Sequence, residues 1–80
     1  MITVYSKNNC PFCDRAKALL ESKEIPFTVI KMEEHTGARE FLMEQGLRSV
    51  PQIFKDGILI PGGFQGLAGK DEAFFETLKG

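Results

Sequence analysis

Cysteine is scarce in this chain. Cys10 and Cys13 are the only two among 80 residues, and His35 is the single histidine. A structural zinc site takes four ligands, so this supply argues against a closed zinc centre within one chain. A basic excess is also missing: Lys and Arg total 10 against 11 Asp and Glu, a net charge of −1. General nucleic-acid binding, which needs a basic face, is not expected. No apolar run approaches the ~18 residues of a membrane span. The first residues lead straight into a strand-like run without the apolar region of a signal peptide, and two cysteines in such a chain point to redox chemistry in the cytoplasm. Linkers, repeats and low-complexity segments are absent too. Eighty residues are read as one domain, residues 1–80, small enough to bury only about 60% of its unfolded surface.

What remains is concentrated in Asn9-Cys10-Pro11-Phe12-Cys13. A strand-like run, Ile2 to Ser6, precedes it and a helical pattern, Pro11 to Lys23, follows. Proline suits the first helical position, where its missing N–H costs nothing and its fixed φ fits. Cys10 then falls at the N-cap, facing unpaired N–H groups and the positive end of the helix dipole. Both favour the thiolate, and thiols in such places fall from about 8.5 to roughly 3.5–7.5. Lys7 and Arg15, close in sequence, add positive charge. Cys13, one turn further in, is expected to be more covered and able to reach back. The division of labour is that Cys10 attacks and Cys13 resolves. A purely structural disulfide is the plain alternative, but so small a loop contributes little by the loop-entropy argument.

The rest of the chain reads as alternating elements. Phe12, Ala16, Leu19 and Leu20 form one apolar stripe on the first helix. Phe27 to Lys31 is a second strand, parallel to the first through a right-handed crossover. Glu33 to Gln45 reads as a second helix, with Ala38, Phe41, Leu42 and Gln45 on one face and Gly46 as its C′ residue. Thr36 offers a later N-cap, and His35 is a surface residue near this start. Pro51 to Phe54 and Ile58 to Pro61 are strands joined at Asp56-Gly57, a strong two-residue hairpin signal. Gly62-Gly63 breaks the chain before a last helical region, with a possible division at Gly69, an N-cap at Asp71, and Phe74, Phe75 and Leu78 on the buried face. The order β-α-β-α-β-β-α gives an α/β fold, a mixed four-stranded sheet with helices on both faces.

Three separated motifs carry a resemblance that covers nearly the whole chain. Tyr5-Ser6-Lys7 with Cys10-Pro11-Phe12-Cys13 and the following Arg15 to Leu20, then Val50-Pro51-Gln52-Ile53-Phe54, then Gly62-Gly63-Phe64, together resemble the dithiol glutaredoxins. Phe12 stands where that family usually has tyrosine. The resemblance implies the thioredoxin-like fold in its smallest form. It implies a glutathione-dependent thiol–disulfide oxidoreductase that reduces protein disulfides and glutathione mixed disulfides through a Cys10–Cys13 couple, with a monomer as the default.

The same resemblance supplies a glutathione site. It implies a cis Val50–Pro51 bond facing the cysteine pair. The Val50 backbone would hold the cysteine part of glutathione, as a short β-pairing, and Pro51 would shape the groove beside Phe12. Lys7 and Arg48 are candidates for the glycine carboxylate, with Gln52 a further one. Gly63 would turn the chain so that the N–H groups of Phe64 and Gln65 meet the γ-glutamyl carboxylate. One departure stands out: Gly66 occupies the place where the family carries an acidic residue for the glutathione ammonium. Gly46 to Pro51 and Gly63-Phe64 also resemble the glutaredoxin-like hydrogen donors of ribonucleotide reductase, which draw electrons from thioredoxin reductase. A third reading is a binding module in which two chains and two glutathiones hold a [2Fe–2S] cluster on Cys10 thiolates; relatives of that kind have a smaller residue in place of Pro11.

Overall fold

In the computed structural model, which describes residues 1–79, five residues of β1 (Ile2–Ser6) run down the middle of a four-stranded sheet. The following elements are α1 (Pro11–Ser22), β2 (Phe27–Lys31), α2 (Thr36–Glu44), β3 (Gln52–Lys55), β4 (Ile58–Ile60), α3 (Gly63–Ala68) and α4 (Glu72–Leu78). The sheet order is β2-β1-β3-β4. β1 and β2 are parallel, with Ile2 opposite Phe27; the other pairs are antiparallel, with Val4 opposite Ile53 and Ile53 opposite Ile60.

Alternation along β1 sorts the two faces. Ile2, Val4 and Ser6 are buried on one side, where Ile53 and Ile60 join them and Ala16, Leu20, Leu67, Phe75 and Leu78 close the core from α1, α3 and α4. Tyr5 points to the other side, where its ring packs at 5.8 Å on Phe41 of α2 and at 5.4 Å on Phe54 of β3. Offset and edge contacts of this kind favour aromatic packing beyond the area they bury.

Local chemistry explains the boundaries. Pro11 is the first residue of α1, and the helix stops at Ser22 with Lys23 as its cap, one residue short of the sequence expectation. The buried face of α1 is Cys13, Ala16 and Leu20, so the expected stripe through Phe12 is rotated: Phe12 is 46% exposed. The second helix starts at Thr36, not Glu33, with His35 as an N-cap that makes no side-chain cap bond. Residues 32–34 are instead a turn closed by the Glu34 N–H on the Lys31 carbonyl at 3.0 Å. The helix ends in a Schellman motif: Gly46, at φ 76°, donates to Met43, and Leu47 donates to Leu42 at 2.8 Å. Gln45 lies exposed at that end, off the face expected for it.

Asp56 and Gly57 have φ of 50° and 82°, the left-handed pair that a two-residue hairpin turn requires. β3 begins at Gln52 and β4 ends at Ile60, each one residue inside the run read from sequence. The last helical region is divided: Gly69 caps α3, and the Asp71 carboxylate accepts the Phe74 N–H at 2.9 Å to open α4.

Candidate active site

The N-cap of α1 is Cys10, with extended backbone at φ −121° and ψ 95°. That conformation turns its side chain back over the first helical turn, where the Cys13 N–H donates to the Cys10 sulfur at 3.1 Å. The Cys10 carbonyl meanwhile accepts the Asp14 N–H at 3.1 Å. An N–H aimed at the sulfur from a helix start is the arrangement that stabilises a thiolate. Cys10 and Cys13 are joined as a disulfide across a Cα–Cα distance of 5.2 Å. Cys13 is fully buried while 7% of Cys10 remains accessible, so a partner sulfur meets Cys10 first. The Arg15 guanidinium lies over the Phe12 ring, 5.1 Å from its centroid, on the outer side of the helix.

Across from Cys10, the Val50 carbonyl oxygen stands 3.9 Å from its sulfur, and the Val50–Pro51 bond is cis. Two grooves meet at Ser49-Val50. One, of about 670 Å³, is bordered by Lys7, Arg39 and Arg48 and lined also by Met32, the buried Leu42 and the exposed Met43. It brings Lys7 and Arg48 to one groove and adds Arg39, which the sequence reading missed. The available signal was helical spacing: Arg39, Leu42 and Met43 fall at i, i+3 and i+4 on α2. The other groove, of about 450 Å³, is lined by Phe12, Pro51, Gly63, Phe64 and Gln65 among others, with the Phe12 and Phe64 rings 6.1 Å apart.

Gln52 lines the other groove and not the cationic one. Its buried side chain donates to the Ser49 carbonyl at 2.9 Å and braces the segment ahead of Val50.

The glycine turn is built by close backbone approach. Gly62 and Gly63 have φ of 94° and 60°, conformations that glycine adopts without steric cost. A Cβ on Gly63 would stand 3.0 Å from the Pro51 carbonyl oxygen. A Cβ on Gly66 would come within 1.9 Å of the Pro61 carbonyl oxygen. Position 66 therefore lacks an acidic side chain and has no room for one while the Pro61 turn keeps its place.

The loop leading to Cys10 is held from a distance. The Glu33 carboxylate accepts the Asn8 N–H at 2.6 Å. That N–H and then Glu33's own N–H hold the carboxyl below its ordinary 4.5; burial opposes them, and the charges of Lys31 and Lys7 add smaller lowering effects. A depressed carboxyl pKa contributes stability that is complete above the unfolded value and fades as pH falls through the folded one. The Asn8 amide resonance is therefore expected to titrate with a midpoint below 4.5. In Glu33→Gln that titration disappears; an Asn8 shift that follows pH equally in the variant contradicts the tether.

The glutaredoxin family model matches residues 2–60. Glutaredoxin 3 of Escherichia coli (strain K12) is 40% identical over 62 residues, covering 76% of this chain and 75% of that protein. The glutaredoxin-like protein NrdH of Lactococcus lactis subsp. cremoris is 42% identical over 62 residues, covering 78% of this chain and 86% of that one. Wheat glutaredoxin superposes with a TM-score of 0.80 at 30% identity, over 96% of this chain and 80% of that one.

Proposed function

The chain belongs to the glutaredoxin family of thiol–disulfide oxidoreductases, with its thioredoxin-like fold, and from that premise we propose that glutathione reduces its Cys10–Cys13 couple. In the catalytic half, the Cys10 thiolate attacks a substrate disulfide, forms a mixed disulfide and expels the other sulfur as a thiolate. Cys13 then attacks the Cys10 sulfur, releasing the reduced substrate and leaving Cys10–Cys13 oxidised. In the recovery half, one glutathione thiolate attacks Cys10, freeing Cys13. A second attacks the bound glutathione sulfur, giving glutathione disulfide and the Cys10 thiolate. Cys10 alone suffices for a glutathionylated protein: its thiolate attacks the glutathione sulfur, expels the protein thiolate and forms the Cys10–glutathione disulfide that a second glutathione resolves. Disulfide-containing and glutathionylated proteins, with ribonucleotide reductase one of them, are the proposed partners. The proposed setting is a reducing cytoplasm, with the chain acting as a monomer; among the described residues no helix is long and apolar enough to cross a membrane.

The observation that carries this reading is the place of Lys7 and Arg48. They border one groove with Val50, whose carbonyl lies 3.9 Å from the Cys10 sulfur. A tripeptide whose thiol meets Cys10 and whose backbone pairs with Val50 puts its glycine carboxylate among those cations. Pro51 and Phe12 wall the groove on the other side, and the turn at Gly63 brings the N–H groups of Phe64 and Gln65 to the γ-glutamyl end.

A second reading rests on Gly66. With no carboxylate there, the glutathione ammonium has no partner at that position, and thioredoxin reductase becomes the electron source, as for glutaredoxin-like donors to ribonucleotide reductase. Equilibration of the couple in thiol buffers separates the two. A midpoint near −200 to −230 mV supports the glutathione reading, and one near −270 mV the second.

A further inference from the structure

The two grooves that meet at Val50 differ sharply in character. On one side Lys7, Arg39 and Arg48 border the groove, and no carboxylate lines it. None of the three makes an ion pair with the chain's own acids among the described residues. On the other side the lining has no charged residue at all, and Phe12, Leu59, Pro61 and Phe64 make it apolar. Arg15 covers the outside of the Phe12 ring and lines neither groove. Three cations exceed what one glycine carboxylate can use, with Lys7 close enough to Glu33 to lower its pKa but not ion-paired with it, and Met32 and the exposed Met43 add adaptable apolar surface beside them.

We propose that this divided groove selects protein disulfides whose cysteine is preceded by an apolar or aromatic residue and followed by a run of carboxylates. The inference deepens the proposed function and takes its direction from it: glutathione, with its glycine end at Lys7 and Arg48, runs from the Phe64 side to the cationic side, and a polypeptide paired with Val50 runs the same way. The residue before the cysteine then lies on Phe12 and Phe64. The residues after it face Lys7, Arg39 and Arg48. Charge complementarity of this kind sets partner choice and encounter rate more than final affinity.

The test uses single-turnover reduction by excess reduced protein. Each event converts one peptide disulfide into two peptide thiols while Cys10 and Cys13 become a disulfide. Three disulfide-linked peptide dimers are compared: phenylalanine-cysteine-glutamate-glutamate, its reversed order, and phenylalanine-cysteine-lysine-lysine. All are capped at both ends, and every rate is divided by the rate with dithiothreitol on the same peptide. The first is expected to react about tenfold faster than the third at low salt, since several exposed ion pairs each contribute a few-fold. At 1 M salt, where screening acts over about 3 Å, the gap should close to about twofold. The reversed peptide should be about threefold slower than the first, because its glutamates meet the aromatic side. In Arg39→Gln the tenfold ratio should fall to about threefold. Equal rates for the first and third peptides, a gap indifferent to salt, or a reversed peptide as fast as the first would each overturn the inference. Hydroxyethyl disulfide, small and uncharged, is assayed in parallel with glutathione as the regenerating thiol. Rapid turnover there with no peptide preference sinks the selectivity alone. Failure of glutathione to regenerate the protein counts against the reductant reading and leaves the charge preference to stand or fall on the peptide ratios.

Discussion

Cys10→Ser is expected to abolish disulfide reduction, with a loss of about 10³-fold or more, because the one remaining thiol, Cys13, is fully buried and out of reach of a substrate disulfide. The variant should fold as the parent does, since serine fills an N-cap well and can still accept the Cys13 N–H that now reaches the Cys10 sulfur at 3.1 Å. Cys13→Ser should behave quite differently. With Cys10 intact and its internal resolving thiol gone, a substrate or glutathione adduct on Cys10 should accumulate when no excess glutathione is present to resolve it, and appear in an intact-mass spectrum. Deglutathionylation should survive in Cys13→Ser, while reduction of protein disulfides should stall. The asymmetry follows from burial: Cys13 is inaccessible and Cys10 is not. Adducts on Cys13 in a Cys10→Ser protein, or no adduct at all in Cys13→Ser, contradict the assignment of roles.

Gly66→Asp is the second large effect. It writes in the acidic residue that the family carries at this place, and on charge alone it should improve a site for the glutathione ammonium. Geometry decides otherwise. The first atom of any side chain would come within 1.9 Å of the Pro61 carbonyl oxygen and 2.9 Å of its carbon, a contact with backbone that no rotamer relieves. The turn at Pro61 to Gly63 or the start of α3 must move, and Gly63 is itself packed against the Pro51 carbonyl. Overpacking of this kind costs about 3 kcal/mol or more, which in a domain of this size lowers Tm by roughly 12–24 °C. Gln65→Asp, one position earlier and exposed, should stay within about 4 °C of the parent, as surface substitutions do. A Gly66→Asp protein that melts with the parent would mean that the Pro61 turn adapts freely.

Much of the fold could be read from the sequence, because its strongest signals are local. Pro11 opens α1, Gly46 terminates α2, Asp56-Gly57 turns the hairpin and Asp71 caps α4, each through chemistry confined to a few neighbouring residues. Where the reading slipped, the deciding partner was distant. The expected helix start at Glu33 gave way to a turn, and the carboxylate went to Asn8, 25 residues earlier in the chain. Phe12 left its apolar stripe for the surface beside Phe64. Gln52, one residue past the cis proline, spends its amide on Ser49. Helical spacing puts Arg39 on the face of Leu42 and Met43, but its meeting with Lys7 and Arg48 depends on how α2 lies against the loop after β1 and the Val50 segment. The steric closure at Gly66 likewise belongs to a tertiary contact with Pro61; sequence marks only that the acid is missing.

Whether glutathione recharges the Cys10–Cys13 couple is read from the recovery of thiols in the oxidised protein. Glutathione is added in one tube, thioredoxin reductase with NADPH in the other. Two free thiols should return rapidly with glutathione and few with the reductase. Recovery only with the reductase would contradict the glutathione reading, remove glutathione from Lys7 and Arg48, and make the closure at Gly66 the feature that decides where this protein draws its electrons.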